Sequence, residues 1–348
     1  MTLRSEGASI LEELSRSVPD AVVVVVRKLC VTPSQLRAMV QKTGLDRVVV
    51  ACREGAEMRG ELMAHLRRTG AHPSGVRVLD MQPEDGVSPE DVAAESVVRI
   101  EAALARVRCG DITAPIRERG LATSTRFSRR NMFRPDSIVR NAVADWREES
   151  CDSGAAFRAC VDSCAVGALK AVGHRLEVDE TLCTGCGACV VACRSGAMSL
   201  GGVPLNALEC EAQVLVKGSS GLRSRPGVAI VCANSDSGML LGGEWLPLEV
   251  PSLEIASVGW LLQILAAGSS VRLVDCDDEP CVTRGREITT LSHALAQRAS
   301  PEWNCELATC TGPDSARSAL GLMCGAQPTN VEGVTIGFRE PEATMKAL

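Results

Sequence analysis

The 348-residue sequence has no Tyr, and its aromatic rings are four Phe and four Trp. Its cores must therefore be packed from Val, Leu, Ala, Ile and Met. Recognition of nucleic acid by base stacking needs aromatic platforms and is not expected. Basic charge is also in deficit: 37 Lys and Arg against 43 Asp and Glu give a net charge of −6. A general polyanion-binding surface does not follow from that balance. Four His are too few to make a His-built metal centre the first reading. No apolar run approaches the ~20 residues of a membrane helix; the longest are Ala21–Val26 and Leu261–Ala267. The N-terminal stretch carries Arg4, Glu6, Glu12, Glu13, Arg16 and Asp20, so it has no signal-type apolar core. No Ser-His-Asp arrangement, HExxH or P-loop is present. The expectation is a cytoplasmic protein with no membrane span and no nucleic-acid partner.

Against these absences stand 17 Cys, about twice the number of aromatic rings. Cysteines of a reducing compartment stay thiols, so this number points to metal or redox chemistry and not to disulfide staples.

At roughly 150 residues per domain the chain should hold two or three units. Residues 1–109 alternate between strand and helix signals. Ala21–Val26, Arg47–Cys52 and Val76–Met81 read as buried parallel strands. Helices are expected from Pro33 to Thr43, from Met58 to Thr69 and from Ser88 to Val107, the last with Ser88 as cap and Pro89 in its first turn. This predicts an α/β N-terminal domain with a mostly parallel sheet. Residues 110–150 break the pattern and form a basic linker or docking segment, rich in Arg from Arg117 to Arg147. It reads either as an exposed loop or as a contact surface for an acidic partner. Residues 151–215 hold the densest cysteines and predict an α+β bacterial-type ferredoxin module. Residues 216–300 return to α/β, with strands at Gly227–Cys232 and Val271–Cys276 and helices at Leu253–Ala267 and Gly285–Gln297. Residues 301–348 form a tail.

The strongest motif is Cys183-Thr-Gly-Cys186-Gly-Ala-Cys189-Val-Val-Ala-Cys193, which has the C-x2-C-x2-C-x3-C spacing of bacterial ferredoxins. Three thiolates from one tight loop must grip three irons of a cubane. Gly185 and Gly187 let the backbone wrap where side chains would collide. The alternative, structural zinc, normally uses two separated Cys pairs. An internal repeat accompanies the loop. Cys160-Val-Asp-Ser-Cys164-Ala-Val-Gly-Ala-Leu169 and Cys189-Val-Val-Ala-Cys193-Arg-Ser-Gly-Ala-Met198 share C-x3-C-x2-G-A. In two-cluster ferredoxins the fourth Cys of each run ligates the other cluster. The repeat therefore assigns Cys183, Cys186, Cys189 and Cys164 to one [4Fe–4S] site. Cys160 and Cys193 form half of a second, with Cys151 as a third ligand and a fourth from Cys30, Cys52 or Cys109. The alternative for Cys160 and Cys193 is a pair of buried thiols.

Two resemblances follow from longer stretches. Cys30-Val-Thr-Pro-Ser-Gln35, then Leu45-Asp-Arg-Val-Val-Val-Ala-Cys52-Arg53 and a long Val- and Ala-rich helix, resemble the N-terminal domain of the flavin-carrying subunit of heterodisulfide reductase. That resemblance implies an iron–sulfur site near these cysteines, shared with a ferredoxin module. The family's flavin domain needs a G-x-G-x-x-G turn after a strand. No such motif occurs in this chain, so flavin binding is not carried over. Val228-Ala-Ile-Val-Cys232, Leu248-Glu-Val-Pro-Ser252 and Val274-Asp-Cys276-Asp-Asp-Glu-Pro-Cys281 look like the delta subunit of methyl-viologen-reducing hydrogenase, in which five Cys surround a [2Fe–2S] cluster. Here Cys232, Cys276 and Cys281 match, and Ser235 and Ser252 stand at the other two positions. Three thiols do not complete a four-ligand cluster, and Cys305, Cys310 or Cys324 would have to supply the missing one. The favoured expectation is a domain that kept the fold and lost the cluster. Two function classes remain. One is a non-catalytic iron–sulfur electron-transfer subunit of an oxidoreductase complex, with a hydrogenase, flavoprotein or reductase subunit as partner. The other is a cluster-based redox or iron sensor or scaffold. The scattered His are expected to be surface or satisfied residues, the Trp core or interface anchors, and Asp275–Glu279 a solvated acidic turn.

Overall fold

The computed structural model describes residues 3–24, 34–53, 55–83, 86–113, 118–119, 141–151, 156–201, 203–224, 226–233, 235, 244–276, 278–299 and 305–308. The chain is a mixed α/β protein with small sheets. Its N-terminal part contains α1 (Leu3–Ser17), α2 (Ser34–Thr43), β1 (Val48–Cys52), α3 (Gly55–Arg67), β2 (Val76–Asp80) and α4 (Pro89–Cys109). β1 and β2 pair in parallel from Val48 beside Val76 to Cys52 beside Asp80. Leu62 and Leu66 of α3 are fully buried against Val50, Val76 and Val78 of these strands. Ser88 caps α4, its side chain accepting from the Asp91 amide at 3.1 Å, with Pro89 in the first turn. α4 buries residues on nearly all sides because α1, the two strands and a later helix, α7, surround it.

The central region contains β3 (Glu118–Arg119), β4 (Asn141–Ala142), β5 (Ala144–Trp146), α5 (Ala156–Asp162), β6 (Leu169–Val172), β7 (Arg175–Val178), α6 (Ala188–Ala192), β8 (Met198–Leu200) and α7 (Leu205–Ser219). β6 and β7 form a hairpin through Gly173, whose φ of 62° suits the tight turn. β5 pairs antiparallel with β8. The C-terminal part has a parallel sheet ordered β10 (Trp245–Val250), β9 (Gly227–Cys232), β11 (Val271–Val274) and β12 (Cys305–Ala308), with α8 (Val258–Ala266) and α9 (Glu279–Ala299). Every residue of β9 is buried, as a continuous apolar run in an inner parallel strand requires. Pro247 is tolerated because β10 is an edge strand. One continuous core joins the ferredoxin region to this sheet, and it includes Cys183, Cys189, Trp260, Ile230 and Leu273.

Several expectations are corrected. Residues 21–24 are not a strand: Val22 and Val24 are 65% and 53% exposed, whereas Ala21 and Val23 pack near Leu14 and Val97. The segment buries alternate residues on α1 and α4 and has no neighbouring strand among the described residues to pair with. The helix expected over Leu253–Ala267 is a 3-10 turn at Leu253–Ile255 followed by α8. Ala256 is extended, and the Ser257 hydroxyl caps the new start by accepting from the Trp260 amide at 3.2 Å. α1, α7 and β10 carried no sequence expectation. Asp275 is fully buried, so the acidic turn is not uniformly solvated. In agreement with expectation, Trp260 is a core anchor and His72 is satisfied, its Nδ1 accepting from the Ser74 amide at 3.1 Å. The basic segment 120–140 and the tail residues Cys310 and Cys324 lie outside the described residues.

The expectation that cysteines stay as thiols fails at Cys109, the last residue of α4, which is disulfide-bonded to Cys210 of α7 with Cα atoms 6.7 Å apart. Close packing of α4 along α7 brings the two together. Cys109 is thereby removed as a ligand for a second cluster in this state. Cys52 is disulfide-bonded as well, and Cys30 lies outside the described residues.

An ion-pair network ties the N-terminal part to the rest. Arg59 donates through one nitrogen to both Glu249 carboxylate oxygens, at 2.7 and 2.6 Å. Arg77 lies 3.5 Å from Glu249 and 3.6 Å from Glu211. Arg106 donates to Glu211 at 2.6 Å and to the Glu249 carbonyl at 2.9 Å. Three arginines of one region thus meet two carboxylates of another.

Candidate metal centres

The ferredoxin loop begins at an Asx turn. The Asp179 carboxylate accepts from the Thr181 amide at 2.9 Å and from its hydroxyl at 2.6 Å, and the Cys183 amide donates to the Asp179 carbonyl at 3.0 Å. Gly185 and Gly187 then take φ values of 72° and 86°. A Cβ on Gly185 would collide with the Ala142 carbonyl, and one on Gly187 would lie 2.9 Å from two atoms of the Ile255 side chain. The loop is therefore clamped between residues 142–144 and the 3-10 turn Leu253–Ile255, and only glycine fits both positions. Gly187→Ala is expected to cost about 1–3 kcal/mol for the left-handed backbone and to lower iron content per chain.

Cys183 and Cys189 are buried, and Cys164 and Cys186 are partly so. Cys189 is central: burial, then the neighbouring sulfurs of Cys186, Cys183, Cys164 and Cys160, push its thiol up. Burial and the carboxylate of Glu254 push the Cys186 thiol to about 12. Amides point at the sulfurs: Ala168 donates to Cys164 at 3.2 Å and Ala144 to Cys183 at 3.5 Å. Such bonds stabilise thiolate ligands and tune a cluster. Four cysteines, a loop that admits only glycine and amide donors to sulfur together fit a [4Fe–4S] cubane, with Cys164 arriving from the upstream copy of the repeat.

A second neighbourhood lies beside it. The Cys160 thiol is raised by burial and then by Cys193 and Cys151. Burial acts upward on Cys193 too, but it is outweighed by the Ser195 hydroxyl and the Met198, Ala197 and Gly196 amides, and the thiol falls below its ordinary value. The Met198 amide lies 3.4 Å from its sulfur. Cys52, in its disulfide, is not part of this group.

The third group is Cys232, Cys276 and Cys281. All three are buried, and their sulfurs lie within 4.8 Å of one another. Cys232 donates to Cys276 at 3.3 Å. Hydrogen bonds from Cys232 and then Cys276 pull Cys281 down strongly, and hydrogen bonding with Cys276 and Cys281 pushes Cys232 up. Cys305 begins β12, which pairs with β11.

Glu254 links the first and third groups. Its carboxylate hydrogen-bonds with Cys186 and interacts electrostatically with Cys281, and burial raises it above the usual carboxylate value. Its neighbour Ile255 packs on Gly187. No cysteine spacing marks this turn, and the available sequence signal was Ser252, which caps it by accepting from the Glu254 amide at 3.4 Å.

Residues 176–199 match the family described as a 4Fe-4S binding domain. No curated protein and no solved structure matches the chain. The ferredoxin segment is therefore supported as a [4Fe–4S]-binding element, which carries an iron–sulfur electron-transfer role. The resemblances at residues 28–108 and 227–297 gain no named relative. No helix among the described residues is long and apolar enough to cross a membrane.

Proposed function

We propose that this chain is an electron-transfer subunit that relays single electrons between redox centres of protein partners, in a cytoplasmic complex of the heterodisulfide reductase or hydrogenase kind. The observation that carries this reading is the seating of the ferredoxin loop directly on the turn Leu253–Ile255, beside the three buried thiols of the C-terminal sheet. A [4Fe–4S] cubane supplies one-electron uptake and release. Cys183, Cys186, Cys189 and Cys164 hold it. Burial of Cys183 and Cys189 keeps water from their sulfurs, and the Ala144 and Ala168 amides supply fixed dipoles. The partly exposed Cys186 edge offers a side from which a partner's centre is reached. The chain has no organic cofactor motif, so it conducts electrons and does not transform a substrate alone.

A second [4Fe–4S] cluster belongs to the proposal, held by Cys193, Cys160 and Cys151 and completed by Cys30 or Cys52 once the Cys52 bridge is reduced. Anaerobically purified protein should contain about eight iron and eight sulfide per chain; about four of each would limit it to one cluster. Stable co-purification with a hydrogenase, flavoprotein or reductase subunit supports the relay. Cluster-dependent DNA binding with no redox partner would replace it with a sensor.

A further inference from the structure

The C-terminal thiol triad differs from the ferredoxin quartet in spacing. In a cubane each cysteine sits on a different iron, so the four sulfurs stand apart. Among the described residues no three of the loop thiols lie within 4.8 Å of one another, whereas Cys232, Cys276 and Cys281 do. That is the spacing of ligands on one ion. Zinc–sulfur bonds of about 2.3 Å in a tetrahedron place neighbouring sulfurs about 3.8 Å apart. The 3.3 Å between Cys232 and Cys276 needs only a small side-chain adjustment to reach it.

The triad is also built where a ligand site is expected. Cys232 ends β9, Cys276 follows β11 by two residues, and Cys281 lies in the first turn of α9. The group therefore lies beyond the carboxyl ends of parallel strands, where open α/β sheets bind ligands. A helix start favours thiolate at Cys281. Packing of small apolar side chains does not require three separate elements to aim their sulfurs at one point. A two-iron cluster takes four cysteines, and the described residues bring three together here. Ser235 and Ser252 occupy the other candidate positions, and among the described residues no fourth thiol joins the group.

We propose that Cys232, Cys276 and Cys281 bind one tetrahedral zinc ion through three thiolates, with the fourth coordination position taken by a small donor such as water. Three protein ligands and one open position is a known zinc arrangement, and thiolates are suited to this ion. Loading releases the remaining thiol protons to solvent. The ion would fasten the ends of β9, β11 and α9 next to the turn on which the ferredoxin loop rests. Neither the number of iron clusters nor the electron relay bears on this site.

The test uses the full-length protein purified anaerobically with its clusters. One zinc per chain is expected by elemental analysis, and zinc-edge X-ray absorption should show three sulfur neighbours at about 2.3 Å. The combined variant Cys232→Ser, Cys276→Ser, Cys281→Ser should lose that zinc and keep all iron and sulfide. Absence of zinc from the wild-type protein overturns the proposal. So do fewer than three sulfur neighbours, or a loss of about two iron and two sulfide in the variant, which would report a two-iron cluster. The absorption measurement needs no variant, so misfolding of the triple substitution does not blunt the test.

Discussion

Cys189→Ser is expected to abolish the first cluster, with loss of the iron and acid-labile sulfide of one cubane and bleaching of its broad visible absorption. The residue is 7% exposed and stands among Cys186, Cys183 and Cys164. A serine hydroxyl is a hard oxygen donor that ionises far less readily than a thiol, so it replaces neither the charge nor the softness of the ligand. Cys186 and Cys189 resist ionisation through burial, and metal binding must supply the energy to deprotonate them. Removing the central ligand leaves the others with less metal to offset that cost. Cys193→Ser separates the two sites. It should leave the first cluster intact, because Cys193 acts on Cys160 together with Cys151, whereas Cys186, Cys183 and Cys164 lead the sulfurs acting on Cys189. An equal loss of iron in both variants would mean that Cys193, and not Cys164, completes the first cubane.

The elements legible in the sequence are those governed by local chemistry. Ser88-Pro89 announces α4 because capping and proline geometry act within one turn. Gly227–Cys232 is readable because an inner parallel strand is apolar on both faces. The ferredoxin loop is readable because ligand spacing is fixed by the cluster it wraps. What escaped depends on distant partners. The position of Ile255 against Gly187 and of Glu254 against Cys186 has no local signal, since the turn and the loop meet only in the folded chain. Similarly, the apolar run from Leu253 hides the break at Ala256, where the chain trades one helix for a turn and a freshly capped start. Residues 21–24 mislead for the opposite reason: their valines favour a strand, but no neighbouring strand is present to pair with them among the described residues.

Those long-range contacts change what the C-terminal region means. Along the sequence, three cysteines and two serines at five positions describe a site in decay. In the fold the three thiols still converge, and the ferredoxin loop rests on the turn beside them. Glu254 of that turn faces both, interacting with Cys186 of the loop and with Cys281 of the thiol group.

Glu249→Ala should destabilise the fold by about 3 kcal/mol. The carboxylate is only 12% exposed and meets Arg59 at 2.6 Å and Arg77 at 3.5 Å. Removing it takes away the carboxylate partner of Arg59, which is 32% exposed, and leaves the 13% exposed Arg77 with Glu211 alone, at 3.6 Å, which costs more than the pair contributed. Burial alone would raise the Glu249 carboxyl, but Arg77, Arg59 and Arg106 overcome it and hold it at about 2, against 4.5 unperturbed. A carboxylate with a depressed folded value stabilises above its unfolded value and loses that contribution as pH falls through the folded one. The wild-type protein should thus weaken progressively from about pH 4.5 towards pH 2, and Glu249→Ala should flatten that part of the curve. Glu249→Gln keeps an acceptor for Arg59 and should cost less than Ala. Denaturant midpoints measured across this pH range check both points, and a Glu249→Ala curve parallel to the wild type would assign the acid loss to other groups. Because the network links α3, β2 and α4 to α7 and β10, the variant should be cut by protease faster than the wild type, with the N-terminal part still tethered through Cys109–Cys210 until that disulfide is reduced.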